Sequence, residues 1–179
     1  MKHSDSSGAP DWPVALHRAL SRAEVCYLPY VPDAGHKTLL ELAHADSNMT
    51  PIALTTEQEG IAVAAGVALG GGRAALLMQS SGVGNCINAI ASITQACRMS
   101  LLMLVTMRGE WGEKNPWQVP MGAAVAPILN DLGVTVLRLE RGCDAESTLA
   151  AVADQCFAGG GPVALLISQR LIGAKAFTQ

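Results

Sequence analysis

Short apolar runs, many of them β-branched, alternate with helix-length segments along nearly the whole chain. Asp11 followed by Trp12 and Pro13 reads as an N-cap with an early helical proline, opening a helix to about residue 23. Residues 25–31 (VCYLPYV) form a strand that stops at Pro32, and residues 36–45 read as helix. A short strand at 51–55 leads into an Ala/Gly-rich helix at 57–69, closed by Gly70, Gly71 and Gly72. Residues 73–79 (RAALLMQ) predict a third strand, followed by the turn at 80–84 and a helix to about residue 97. The run 100–107 (SLLMLVTM) is apolar almost throughout, as in a strand buried on both faces. Residues 108–120 form the longest irregular stretch, long enough to suggest a functional loop. A helix to 132, a strand at 134–139, a helix at 144–156 and a strand at 162–168 complete the pattern.

Six strands alternating with helices predict an α/β fold, a six-stranded parallel sheet with helices on both faces. The expected organisation is a flexible tail at residues 1–10 and one domain over 11–179. Ligands on such a sheet sit beyond the carboxyl ends of the strands. That rule singles out the loops at 32–36, 55–59, 79–85 and 106–118.

Composition narrows the picture. Half the residues are hydrophobic and 15% are charged, which excludes a disordered chain. Aromatics make up only 4%, so the core must be built from Ala, Val, Leu and Ile. A net charge of −3 without a basic tract argues against a nucleic-acid partner. No apolar run reaches the roughly 18 residues of a membrane-spanning helix. The polar start MKHSDSSGAP lacks the apolar segment of a secretory signal. Five scattered cysteines without a CxxC spacing read as reduced thiols. The expectation is a cytoplasmic protein without membrane association.

The candidate chemistry lies in the four loops. Thr56 and Glu59 have the T-x-x-E spacing of a capping box, which accounts for Glu59 as a cap. Glu57 is left over at the first helical position, aimed at the presumed cleft. There it stabilises the helix dipole by about 0.3–1 kcal/mol whether or not it does chemistry. The turn Ser80-Ser81-Gly82-Val83-Gly84-Asn85 could present backbone N–H groups to an anion. It fails the dinucleotide fingerprint, because Ile87 holds the third glycine position. No metal-binding H-E-x-x-H and no G-x-S-x-G elbow is present, and His36 reads as solvated or catalytic. Arg108, Glu110, Glu113 and Lys114 read either as a solvated face or, for the two cations, as a site for an anionic substrate.

Four segments, EQEGIAVAAG (57–66), MQSSGVGNCINAI (78–90), VPDAG (31–35) and RGEWGEKNPWQVPMG (108–122), together resemble the pyrimidine-binding domain of thiamine diphosphate enzymes. They are most similar to the sulfopyruvate and phosphonopyruvate decarboxylases, particularly the alpha subunit of the former. The resemblance spans roughly residues 12–170, with the four motifs in the family's order. It implies that Glu57 bonds the cofactor's pyrimidine N1′ and promotes its imino tautomer. It implies further that Thr56, Gln79, Ser81, Gly82 and Asn85 line the cofactor. Asp33, His36, Arg108, Lys114 and Gln118 are the implied substrate-side residues.

One family feature is absent. The Gly-Asp-Gly motif and downstream asparagine that bind diphosphate and Mg²⁺ have no counterpart, since Gly142-Cys143-Asp144 lacks the second glycine. No metal ligand is therefore expected here. The resemblance implies a beta subunit carrying that half, a small anionic 2-oxo acid as substrate, and a homo-oligomeric assembly. Two other readings stay open: a non-catalytic or regulatory pyrimidine-domain subunit, and a flavodoxin-like nucleotide-binding module.

Overall fold

The computed structural model describes residues 11–173. The tail expected at residues 1–10 and the last six residues of the expected domain lie outside them. The elements are α1 (Trp12–Arg22), β1 (Tyr27–Tyr30), α2 (Lys37–Ala45), β2 (Thr50–Ala53), α3 (Glu57–Leu69), β3 (Ala75–Gln79) and α4 (Val83–Ala89). They continue with β4 (Leu101–Thr106), α5 (Val119–Asp131), β5 (Thr135–Leu139), α6 (Ala145–Phe157), β6 (Pro162–Ile167) and α7 (Gln169–Ile172). All six strands are parallel, in the order β2-β1-β3-β4-β6-β5. This is the doubly wound sheet that the alternation of strands and helices predicts.

Each central strand splits its side chains between two cores, because successive residues of a strand point to opposite faces. Leu77, Leu102, Leu104 and Leu165 face Leu16, Leu20, Leu39 and Leu149 of α1, α2 and α6. Leu76, Met78, Met103 and Leu166 face Ile61, Cys86 and Leu129 of α3, α4 and α5. All of these are buried. Each buried Leu, Ile or Met contributes about 1.5–3 kcal/mol of burial energy. The two layers therefore hold the loops at the sheet's carboxyl end from both sides.

The chain winds in opposite directions from β1 and β3, so the crevice between their carboxyl ends is the topological switch point. The ladder is thin at this seam. Tyr27 and Val31 donate to the Arg73 and Leu77 carbonyls at 3.4 Å, and Pro29, midway between them, has no N–H to give β3.

Local departures from expectation have local causes. Asp11 precedes α1 but its side chain makes no capping bond. The segment expected as one helix after β3 starts as a 3₁₀ turn at Ser80–Gly82, runs as α4 and widens into a π-helix at Ile90–Gln95. A 3₁₀ turn at Ala34–His36 precedes α2, and another at Pro116–Gln118 shortens the long loop. The short α7, directly after β6, has no counterpart in the apolar pattern. Among the described residues, no helix is long and apolar enough to cross a membrane.

Candidate active site

Three groups of polar side chains gather beyond the carboxyl ends of the strands. The first surrounds Glu57. It occupies the first position of α3 but is only 9% exposed, because the start of α3 lies against the turn that follows β3. A Cβ at Gly82 would fall within 2.5 Å of Glu57 Cδ, so glycine is what admits the carboxyl group. Asn85 Nδ2 donates to Glu57 Oε2 at 2.8 Å, and no other donor among the described residues bonds this carboxylate. The Cys86 thiol is pushed up to about 12 by burial and then by the negative charge of Glu57, so it stays protonated.

Glu59, two residues on, faces outward. Its carboxylate accepts from the Thr55 N–H and from Thr55 Oγ1, both at 2.9 Å, and these bonds hold its pKa below the usual carboxylate value. The reciprocal capping box expected for Thr56 and Glu59 is thus half-formed. Thr56 is the N-cap residue but its side chain makes no capping bond, and Glu59 reaches one residue further back than the box requires.

The second group joins β1, β3 and β4. Asp33 Oδ2 accepts from the Gly35 N–H at 3.1 Å and from Thr106 Oγ1 at 2.6 Å. His36 departs from the expectation of a solvated loop residue, since it is fully buried. The 3₁₀ turn folds its ring inward, where Nε2 lies 3.3 Å from the Met78 carbonyl and 3.1 Å from that of Leu104. Two carbonyl acceptors place the proton on Nε2, and Nδ1 has no partner among the described residues. Burial lowers the His36 pKa, against the raising effect of Asp33. The ring is neutral and serves to tie β3 to β4. A small cavity of about 160 Å³ lies alongside, lined in part by Asp33, Thr106 and Arg108.

The third group organises the long loop. Arg108 is buried and its guanidinium makes two bonds to Glu113, at 2.8 and 2.7 Å. Neither sequence reading of this pair holds: it is not a solvated face, and Arg108 is not an uncommitted cation. Lys114 is exposed, with no ion-pair partner among the described residues. Gln79 Nε2 donates to Ser81 Oγ at 2.7 Å and lies 3.4 Å from Gln118 Oε1, so Gln79, Ser81 and Gln118 form one polar edge.

Four residues that hold this surface together were not among the expected cofactor or substrate residues. Ser80 Oγ accepts from the Arg108 N–H at 3.1 Å, and Thr106 holds Asp33. Glu113 gathers the long loop. Gln169, fully buried in α7, accepts from the Glu110 and Trp111 N–H groups and donates to Glu113. Their common signal is position: each of Ser80, Thr106 and Gln169 is a polar residue at the carboxyl end of an apolar strand run.

Comparison with known proteins adds the family to this geometry. Residues 14–125 match the family described as thiamine pyrophosphate enzyme, N-terminal TPP binding domain. The chain belongs to that family. It is 33% identical over 153 residues to sulfopyruvate decarboxylase subunit alpha of Methanocaldococcus jannaschii, covering 86% of this chain and 90% of that one. It is 38% identical over 120 residues to the subunit of the same name from Methanococcus maripaludis, covering 67% and 72%. Phosphonopyruvate decarboxylase of Streptomyces viridochromogenes is 34% identical over 101 residues, 56% of this chain and 25% of the relative. In fold, the chain superposes with a TM-score of 0.66 on 2-oxoglutarate:ferredoxin oxidoreductase from Magnetococcus marinus, at 14% identity over 90% of this chain and 29% of that one. Membership in this family makes thiamine diphosphate the cofactor. Glu57, sheltered by Gly82 and with one oxygen unclaimed, fits a partner that must exchange a proton with a carboxyl group.

Proposed function

We propose that this chain is the alpha subunit of a 2-oxo acid decarboxylase acting on sulfopyruvate or phosphonopyruvate, with a beta subunit that binds the cofactor's diphosphate and Mg²⁺. The observation that carries the reading is Glu57, buried, bonded by one amide and placed at the carboxyl end of the sheet. Two relatives that this chain matches over most of their length are themselves named as alpha subunits. The outward face of α3, where Ala62, Gly66 and Leu69 are exposed, is apolar and offers that second subunit a surface.

Thiamine diphosphate, when bound, supplies the carbanion that adds to the keto carbon and the electron sink that lets carbon dioxide leave. Glu57 would hold a proton on the carboxyl oxygen that Asn85 leaves free, facing the pyrimidine N1′. Asn85 fixes the carboxyl group from its other oxygen, and Gly82 leaves that group room. Gln79, Ser81 and Thr56 would line the cofactor, with Gln118 and Asp33 on the substrate side and His36 buried behind them as a support. Arg108 already satisfies Glu113, so the sulfonate or phosphonate would fall to Lys114 and to cations of the beta subunit.

The test is aldehyde formation from a panel of 2-oxo acids by this chain co-purified with its beta subunit. Turnover of sulfopyruvate or phosphonopyruvate by the complex, and none by either subunit alone, is expected. Tight Mg²⁺-dependent binding of thiamine diphosphate by this chain alone, or no product from either acid, would overturn the reading.

A further inference from the structure

Four helical segments of this chain end in the same way, with an amide reaching back five residues: Val25 to Leu20, Gly72 to Val67, Met99 to Thr94 and Val134 to Leu129. The residue before each of those amides has a left-handed backbone, which the motif requires. Gly71 and Gly133 fill two of these positions, at φ 79° and 72°, where glycine suffers no steric penalty. The other two are Glu24 at 56° and Arg98 at 51°, and they are the non-glycine residues with positive φ among those described. Both strained residues belong to the amino-terminal end of the sheet, opposite the candidate active site.

Arg98 lines a groove of about 350 Å³ there, together with Ala64, Ala68, Gly71, Arg73 and Phe157. Arg73 is held in place. Its Nη1 donates to the Ala23 carbonyl at 2.9 Å and its guanidinium lies 5.1 Å from the centre of the Phe157 ring. Glu24 reaches Arg73 at 3.6 Å, but that carboxylate is 79% exposed and screened by solvent. Among the described residues no carboxylate lines the groove, and none pairs with Arg98. The α3 carbonyls that would repel an anion already accept bonds from Gly70, Gly71 and Gly72.

We propose that this groove binds a tetrahedral oxyanion, the phosphate or sulfonate group of a small metabolite, between the guanidinium groups of Arg73 and Arg98. A planar, oriented guanidinium offers paired N–H donors to such a group. A second arginine kept where glycine would be free of strain adds charge without a competing carboxylate. The assignment is independent of the reading of Glu57.

Titration calorimetry and thermal melts of the full chain test it, with inorganic phosphate and methanesulfonate as probes and sodium chloride of equal ionic strength as control. One of the two should bind and raise the melting temperature above the chloride control, and the tighter one identifies the oxyanion. Arg98→Gly should melt at or above the wild type, because it relieves the strained terminator, while binding the probe about tenfold or more weakly. Arg98→Lys should keep part of the binding. No stabilisation by either probe, or unchanged binding by Arg98→Gly, would overturn the proposal. A lower melting temperature for Arg98→Gly would overturn the strain argument and the assignment with it.

Discussion

Glu57 and Glu113 are both shielded carboxylates at the same end of one sheet, and they are dressed in opposite ways. Glu113 takes both Nε and Nη2 of Arg108, the N–H groups of Gly109 and Asn115, and the Gln169 amide, all within 3.2 Å. Arg108 first, then the Asn115 and Gly109 amides, hold its pKa at about 2. Glu57 takes one bond, from Asn85. A carboxylate surrounded by donors is fixed as an anion and can only hold structure. One given shelter but few donors can still exchange a proton with a partner. The number of donors, more than burial, separates the carboxylate that shapes the site from the one proposed to act in it.

The sharpest break of that comparison is to remove the acid from each in turn. Glu57→Gln keeps shape and the Asn85 contact but cannot relay a proton. In the complex with the beta subunit and saturating thiamine diphosphate, turnover should fall by about 10²–10⁴, as loss of an acid–base group typically causes. Melting and co-purification should be unchanged. Near-normal turnover would remove Glu57 from its role.

Glu113→Gln should behave the other way. It leaves the Arg108 charge buried without its partner, and losing one member of a buried pair costs about 3–5 kcal/mol. Chemical denaturation should show that loss, and the decline in turnover should follow the unfolded fraction. Stability within error of the wild type would mean that the Glu113 bonds do not hold the loop.

The fold was legible because its signals are local and periodic. The apolar run now seen as Leu101–Thr106 reads as a strand buried on both faces, and α3 begins at Glu57 and ends at Leu69 as the capping residues and glycines indicate. The inward placement of Glu57 was legible for the same reason, as an acidic residue left over once Glu59 was accounted for. The Glu113 network was not. Its donor Gln169 lies 56 residues away, and a loop without periodicity does not show which of its charges turn inward. The burial of His36 was equally hidden, since its two acceptors are main-chain carbonyls 42 and 68 residues distant.

Acid titration separates the two kinds of buried group. Glu113 has a depressed pKa, so its stabilisation is complete above the ordinary carboxylate value of 4.5 and is lost as pH falls towards about 2. His36 is also depressed, by burial, so the unfolded chain takes up its proton first. Its contribution is complete above the ordinary value of 6.5 and declines as pH falls below it. Melting temperature should therefore begin to drop below about pH 6.5, well before the carboxylate limb. His36→Gln should remove the upper limb and leave the lower one. A profile flat down to pH 5 in the wild type would contradict the neutral, buried ring.

The smallest effect sharpens the comparison within a single helix turn. Glu57 and Glu59 are two residues apart, so they project about 200° apart around the axis of α3. They cannot share one task, and the structure turns Glu57 inward while Glu59 stays in solvent, bonded only within its own turn. Glu59→Ala removes the bonds to Thr55 but no contact to the Glu57 pocket. Because Thr56 makes no reciprocal bond, only half a capping box is lost. The expected cost is a small drop in melting temperature, less than that of losing a full cap. Turnover in the complex should stay within about twofold of the wild type, because the proposed acid–base role is assigned to Glu57. Melts and turnover measured side by side decide it. A collapse of turnover with unchanged melting in Glu59→Ala would place the chemistry on the outward carboxylate and reverse the assignment of the two residues.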